Sequence, residues 1–398
     1  MSPGPSRTAV VLCDIAGSEG GTESYLARII PELARAGVAI TLRARRVVDA
    51  QAFGVSAAPI AWASDAEAPS PPAAAEVVAL LDAVRPDLVL LSNVFDPGVM
   101  RAARAAPRAI VRVHDHRLFC PHGDRIYPQF RAMCSRPMGT ACLVNAIVHG
   151  CVEGPRAGTL RRLRARETLR DAVCDLDSIV VSSQFMAGLC ALNGVARKRI
   201  AVIPPPVAAE SLAMPPAPMP DGRRLLFAGR LVRDKGLHSL VRALARIPAE
   251  RRPALDVAGR ATADSRSAEA LAAGSGVTLR MLGQLEPAGV ARAMDQVRAV
   301  AVPSLWPEPF GLVGIEAYAR GRPVVAYAAG GIPEWIGAGG IAVTPGDEAG
   351  LARAIVEVME DGRWNDLAAS GRHQAMRYSP AAHVAALIDR CFAPSPAP

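Results

Sequence analysis

The sequence predicts an α/β protein of two doubly wound domains facing a cleft, one over 1–205 and the other over 206–378. Three observations predict it. Strand-length apolar runs alternate with longer amphipathic ones, the pattern of parallel sheets covered by helices on both faces. The alternation stops once, at the Pro-rich and aperiodic "AAESLAMPPAPMPDG", and then starts again. A length of 398 residues suits two domains of ordinary size better than one core.

In the first half, "TAVVLCDI" reads as a strand, "TESYLARIIPELARAG" as its helix and "VAITLRAR" as the next strand. "PDLVLLSN" and "RAIVRVHD" continue the sheet. "DSIVVSS", the helix "QFMAGLCALNG" and the short strand "RIAVIPPPV" complete it. The second half opens with the strand "RRLLFAGRL" and the helix "GLHSLVRALARI". Strands "ALDVAG" and "VTLRMLGQL", the helix "EPAGVARAMDQV", and strands "RAVAVPS", "RPVVAYAAGG" and "AGGIAVTPGD" follow. A last helical run, "PAAHVAALIDRCF", precedes a disordered-looking "APSPAP". Ligands of paired open sheets bind at the carboxyl ends of strands, so the site is expected in the cleft between the domains.

Composition narrows the function classes. The longest apolar runs fall far short of the ~18 residues a membrane span needs, and the apolar start reads as a buried strand of a cytosolic protein. The net charge of +8 is uneven: residues 101–170 hold fourteen Arg against four acids, Asp115, Asp124, Glu153 and Glu167. This stretch reads either as a solvated helix face or as an attraction to anionic lipid or an anionic acceptor. Few aromatics for base stacking and no recognition signature argue against nucleic acid. Only Lys198 and Lys235 among the 45 basic residues are lysines. A lysine kept against such a background invites a chemical reason.

Chemistry concentrates in "EPFGLVGIE", where Glu308 and Glu316 lie eight positions apart. One continuous helix fails there, because Pro309 lacks an N–H and Gly311 disfavours helix. A loop entering a helix near Leu312 fits better, with Glu308 in the loop and Glu316 in the first turns. The N–H groups of such a helix attract phosphate, and carboxylates beside it accept hydrogen bonds from sugar hydroxyls. "GRLVRDKG" presents Arg230 and Lys235 from a strand-to-helix loop, a pair of cations suited to a diphosphate. "SEGGTE" follows the first strand, and Gly20 and Gly21 permit close approach of a ligand, or make an ordinary turn. "VRVHDHRLFC" puts His114 at a strand end, as a hydrogen-bonding neutral imidazole or as a structural histidine; Asp115 and His116 are weaker candidates. "DLD", Asp175 to Asp177, reads as a helix-to-strand turn without a metal. Cys120, Cys134, Cys142 and Cys151 cluster in the basic segment without a short CxxC. They are weak metal candidates, with His122 and His149 as alternative ligands, or reduced thiols of a loop insertion.

These motifs together resemble the retaining glycosyltransferases of family 4, with the GT-B fold of two Rossmann-like domains. The resemblance covers nearly the whole chain and is most specific in "PSLWPEPFGLVGIEAYARGRPVVAYAAGGIPEWI". It implies that Arg230 and Lys235 hold the donor diphosphate and Glu316 the ribose. Glu308 then binds the transferred sugar with the backbone N–H groups of Phe310, Gly311 and Leu312. His114 matches the family histidine beside the sugar, Gly20 and Gly21 its glycine loop, and residues 379–398 a helix crossing back to the first domain plus a tail. Two departures stand out: "VAGRATAD" carries Arg260 where paired glycines are common, and the cysteine-bearing stretch 117–151 is a long insertion.

The expected reaction moves a sugar from a nucleotide diphosphate sugar, a UDP-sugar or GDP-mannose, to a hydroxyl acceptor with retained configuration. The two cations stand where a divalent metal would, so no metal or other cofactor is expected. The expected partners are donor and acceptor, with peripheral contact at the inner face of an anionic membrane. Rival readings are a nucleotide-sugar epimerase of the same fold and a non-catalytic, glycosyltransferase-like scaffold subunit. A nicotinamide-dependent dehydrogenase is disfavoured because no G-x-G-x-x-G follows either first strand.

Overall fold

Each first strand is apolar on both faces because helices cover both sides of its sheet. The computed structural model describes residues 7–17, 21–49, 51–62, 70–127, 132–151 and 156–392. It divides into two units, Met1–Pro206 with Pro380–Pro398, and Val207–Ser379.

The first unit begins with β1 (Arg7–Ala16), α1 (Gly21–Arg35), β2 (Val38–Val47), β3 (Ala57–Pro59), α2 (Pro71–Val84), β4 (Leu88–Ser92), α3 (Pro97–Ala103) and β5 (Ala109–Arg112). The insertion holds β6 (Ile126–Tyr127), β7 (Ala132–Met133) and α4 (Ala141–Val148). Then come α5 (Arg156–Cys174), β8 (Ser178–Val181), α6 (Gln184–Leu192) and β9 (Ile200–Val202). Seven strands form one parallel sheet in the order β3-β2-β1-β4-β5-β8-β9, while β6 and β7 make a separate antiparallel pair. Along β1, Val10 and Leu12 pack with α2, α3, α5 and α6, and Ala9, Val11 and Cys13 pack with α1. Strand pleating sends alternate side chains to opposite faces, so both sets are buried.

The second unit runs through α7 (Ala209–Ala213), β10 (Arg224–Ala228), α8 (Leu237–Ala245), β11 (Ala254–Ala258), α9 (Ala263–Gly274), β12 (Leu279–Gly283), α10 (Pro287–Asp295) and β13 (Ala299–Val302). It ends with α11 (Leu312–Ala319), β14 (Val324–Tyr327), β15 (Gly340–Val343), α12 (Glu348–Val358) and α13 (Asp361–Ala375). Its parallel sheet has the order β12-β11-β10-β13-β14-β15. The order reverses beside β10, so the loops after β10 and β13 flank the crevice where open sheets bind ligands. In the first unit the corresponding reversal lies between β1 and β4.

The last helix, α14 (Pro380–Cys391), belongs to the first unit and buries Val384, Leu387 and Cys391 among Leu26, Ile29 and Ile30 of α1. The stretch "AAESLAMPPAPMPDG" is less irregular than its prolines suggest. Its start forms α7, and the Arg372 guanidinium donates to the carbonyls of Ser211, Leu212, Met214 and Ala319. A side chain from 158 positions away satisfies this backbone, which no local pattern encodes. Asp175 to Asp177 form the turn between α5 and β8, where Asp177 Oδ2 accepts the Ala109 N–H at 2.8 Å.

Candidate functional site

The sequence-predicted residues fall into two groups, one in each unit. In the second unit, the chain leaves β10 through Gly229 and Arg230 and reaches Lys235 two residues before α8. Gly236 follows with φ 81°, and a side chain there would overlap the Pro303 carbonyl oxygen, so this loop lies directly on the loop after β13. The Asp234 carbonyl accepts the N–H groups of Leu305 at 2.8 Å and Trp306 at 3.0 Å. These backbone bonds bring Lys235 Nζ to 2.5 Å from Glu308 Oε1 across 73 positions of sequence. Trp306 walls the same corner: its ring centre lies 4.5 Å from Lys235 Nζ and 6.0 Å from Arg230 Cζ.

Glu308 is 7% exposed. A carboxylate buried that far costs desolvation energy unless a cation and hydrogen bonds compensate it. Its backbone is clamped from the other side. Gly330 has φ 64°, and a side chain there would overlap the Glu308 carbonyl and come within 2.6 Å of its nitrogen. The Gly331 N–H donates to that carbonyl at 2.7 Å.

The expected loop-to-helix reading of "EPFGLVGIE" describes the local structure. α11 starts at Leu312, with Gly311 as N-cap in the left-handed region at φ 90° and no side-chain cap. Phe310 is buried, and the indole N–H of fully buried Trp335 donates to its carbonyl. The helix start, with its outward N–H groups and positive dipole end, therefore adjoins Glu308. Glu316 lies in the second turn, partly exposed. Arg260, the residue that departs from the family pattern, donates from Nε to Gln284 Oε1 at 2.8 Å.

In the first unit, His114 follows β5 and its Nε2 lies 2.9 Å from Ser92 Oγ at the end of β4. Tyr25 of α1 meets the His114 ring edge-on at 5.1 Å, and Arg112 Cζ lies over the Tyr25 ring, 4.9 Å from its centre. Burial, and then the cations Arg112 and Arg117, hold the His114 imidazole well below the usual histidine range. It is neutral at neutral pH, a hydrogen-bonding group and not a cation. Asp115 is engaged locally, accepting from Arg117 N and Nε at 2.8 and 2.7 Å. His116 is fully buried and packs against Phe185. Gly20 lies outside the described residues, and Gly21 opens α1.

Behind His114, His383 of α14 bonds Pro204 O through Nδ1 at 2.6 Å and Tyr25 Oη through Nε2 at 3.0 Å. A carbonyl only accepts, so the proton sits on Nδ1 and Nε2 accepts from the tyrosine. Burial and Arg112 push this histidine down to about 3. Unfolded histidines protonate near 6.5, so the stability from both neutral rings is complete above that pH and is lost as pH falls toward 3. Urea titrations between pH 7.5 and 5 are expected to show a falling unfolding free energy, by up to ~1.4 kcal/mol per pH unit for each histidine. His383→Gln should flatten that slope; an unchanged slope would refute the assignment.

Cys120, Cys134, Cys142 and Cys151 are reduced and partly exposed. They lie near enough to repel one another's thiolates: burial, then its three neighbours, pushes Cys151 up to about 11. Among the described residues no group of three or more His, Cys, Asp or Glu is arranged to hold a metal ion. Trp306, Gly330, Gly331 and Trp335 are the residues that motif spacing did not single out. All four lie inside the stretch that carries the family resemblance, but only the fold shows that they frame Glu308.

Solved structures share this architecture. The Anabaena protein HepE in complex with UDP superposes with a TM-score of 0.71 at 19% identity, over 96% of this chain and 98% of that one. A glycosyltransferase from Rickettsia africae gives 0.72 at 14% identity, over 97% and 98%. Two parallel α/β units, each with a reversal in its sheet order, thus define a protein of the GT-B fold.

Family comparison is more particular. Residues 19–211 match the family described as Glycosyltransferase Family 4, and residues 222–361 the one described as Glycosyl transferases group 1. The D-inositol 3-phosphate glycosyltransferase of Xylanimonas cellulosilytica is 36% identical over 237 residues, 54% of this chain and 56% of the relative. The chain belongs to the family 4-like glycosyltransferases. The match spans about half the length of that curated relative, and 34% of the Mycobacterium tuberculosis glycogen synthase, which is 35% identical over 149 residues, 34% of this chain.

Proposed function

We propose that the protein transfers a sugar from a nucleotide diphosphate sugar to a hydroxyl acceptor, with retained anomeric configuration and no divalent metal. The observation that carries this reading is the Lys235–Glu308 pair, held at 2.5 Å beside the start of α11 and under Trp306. A diphosphate entering there meets Arg230, Lys235 and the start of α11, while the backbone N–H groups of Phe310, Gly311 and Leu312 meet the transferred sugar. Glu308 then accepts hydrogen bonds from the transferred sugar, and Glu316 from the ribose. From the first unit we assign His114 to a sugar hydroxyl and the Gly20–Gly21 loop to close backbone approach.

In the reaction the bond from the anomeric carbon to the phosphate oxygen breaks with its electron pair going to the diphosphate. The acceptor oxygen bonds the same carbon, and the hydroxyl proton leaves on the departing diphosphate. The catalytic contribution is electrostatic, from cations positioned before charge develops on the leaving group. HepE binds UDP and UDP-glucose in its crystals, which favours a UDP-sugar over GDP-mannose here. We also read the arginine-rich stretch 101–170 as the side of a cytoplasmic protein that meets an anionic membrane.

Thermal unfolding with UDP, GDP, ADP and TDP, each with and without EDTA, tests the donor reading. UDP at a hundred times its Kd is expected to stabilise by ~2.7 kcal/mol, and EDTA to leave that shift in place. Silence toward all four nucleotides overturns the reading. A shift abolished by EDTA overturns metal independence alone.

A further inference from the structure

The insertion between β5 and α5 contains a helix turned inside out. α4 reads "ACLVNAIV", and its one buried residue is its one strongly polar side chain, Asn145, at 5% exposure. Asn145 Nδ2 donates to Tyr127 Oη at 3.4 Å, which ties α4 to the β6–β7 hairpin. Three of its aliphatic residues are open to solvent: Val144, Ile147 and Val148 are 60%, 57% and 55% exposed. Their i, i+3, i+4 spacing puts them on one face. A surface helix of a globular protein ordinarily buries such a face.

Two large apolar residues of the adjoining elements are exposed as well. Met133 at the end of the hairpin is 47% exposed, and Leu160 on α5, which packs beside α4, is 41% exposed. Five of the ten exposed large apolar residues among the described ones therefore fall between 133 and 160. The adjoining chain is basic: Arg136 precedes α4, Arg161 and Arg164 lie on α5, which packs beside it, and all three are exposed.

We infer that the α4 face is a membrane-docking surface, with Val144, Ile147 and Val148 inserting among acyl chains and the surrounding arginines meeting anionic headgroups. Aliphatic side chains without hydrogen-bonding partners suit hydrocarbon, and an arginine rim suits lipid phosphate; together they match an interfacial contact. No helix among the described residues is long and apolar enough to cross a membrane, so α4 lies on the surface and does not span it. The inference deepens the membrane-contact reading above and rests on it.

Co-sedimentation of the full chain with vesicles of phosphatidylcholine and phosphatidylglycerol, at low and high salt, tests it against Val144→Asp/Ile147→Asp and Arg161→Glu/Arg164→Glu. These side chains are exposed, and unchanged thermal unfolding of each variant checks that it folds. Wild type is expected to bind anionic vesicles and to keep part of that binding at high salt, where arginine contacts are screened. The α4 variant should lose that salt-resistant part, about tenfold or more in partitioning. The arginine variant should lose mainly the salt-sensitive part. Equal salt-resistant binding by wild type and the α4 variant overturns the α4 inference and leaves the membrane reading standing. No binding by wild type at low salt overturns both. A wild-type dimer that becomes monomeric in the α4 variant, by light scattering, assigns the face to a second copy of the chain and also overturns the inference.

Discussion

Lys235→Ala is expected to lower kcat for sugar transfer by ~10²–10³, with a smaller change in KM, because in the proposed reaction the lost cation serves the leaving diphosphate as its charge develops. Lys235 is one of only two lysines in a chain whose other basic residues are all arginine. An ammonium on a flexible stem can leave Glu308 and follow a diphosphate, whereas a guanidinium would favour a fixed planar pairing. The substitution also strands Glu308, whose side chain is 9% exposed, without its cation. Part of the loss will therefore be in folding stability, which removing one partner of a buried pair ordinarily costs. Lys235→Met with Glu308→Gln separates the two effects, since it removes the stranded charge together with the cation. That double variant should recover stability and remain slow. Steady-state kinetics in which Lys235→Ala stays within threefold of the wild-type kcat would overturn the role of Lys235 in the chemistry.

Gly330→Ala should be strongly damaging, because its methyl group would strike the backbone of Glu308 itself. The residue sits at φ 64°, where a Cβ costs about 1 kcal/mol by itself. The new carbon would also overlap the Glu308 carbonyl and press on its nitrogen at 2.6 Å, both of them backbone atoms with no rotamer to escape into. A total destabilisation of about 3 kcal/mol or more is expected, read by urea unfolding. The variant that does fold should carry a displaced Glu308, and so a lowered kcat under conditions where it is fully native. A wild-type unfolding midpoint together with wild-type kcat would mean that the Gly330–Glu308 contact does not set the carboxylate's position.

Both predictions depend on contacts that sequence reading approached from one side only. The alternation of apolar runs located β1, β2, β4, β5 and the strands of the second unit, because a strand covered on both faces is apolar along its whole length. Pro309 and Gly311 forced a loop ahead of α11, since neither residue continues a helix at low cost. Helix α9 escaped notice because its alanine-rich face gives weak periodicity, and α7 because the prolines after it hide a short turn held by distant Arg372. The inverted face of α4 was equally invisible. Its sequence reads simply as an apolar helix, and exposure is a property of what surrounds it.

The amino-acid sequence by itself determined the class of fold, the two-part division and the chemical types at the strand ends: two cations, two carboxylates and a histidine. Those follow from local physics, from period, helix-breaking residues and the scarcity of lysine. Only the tertiary structure decided that Lys235 meets Glu308, that Trp306 covers them, that Gly330 clamps the loop, and that His114 is neutral behind Tyr25 and Arg112. These depend on atoms separated by tens of positions along the chain, brought together by sheet order and close packing, which no local pattern contains.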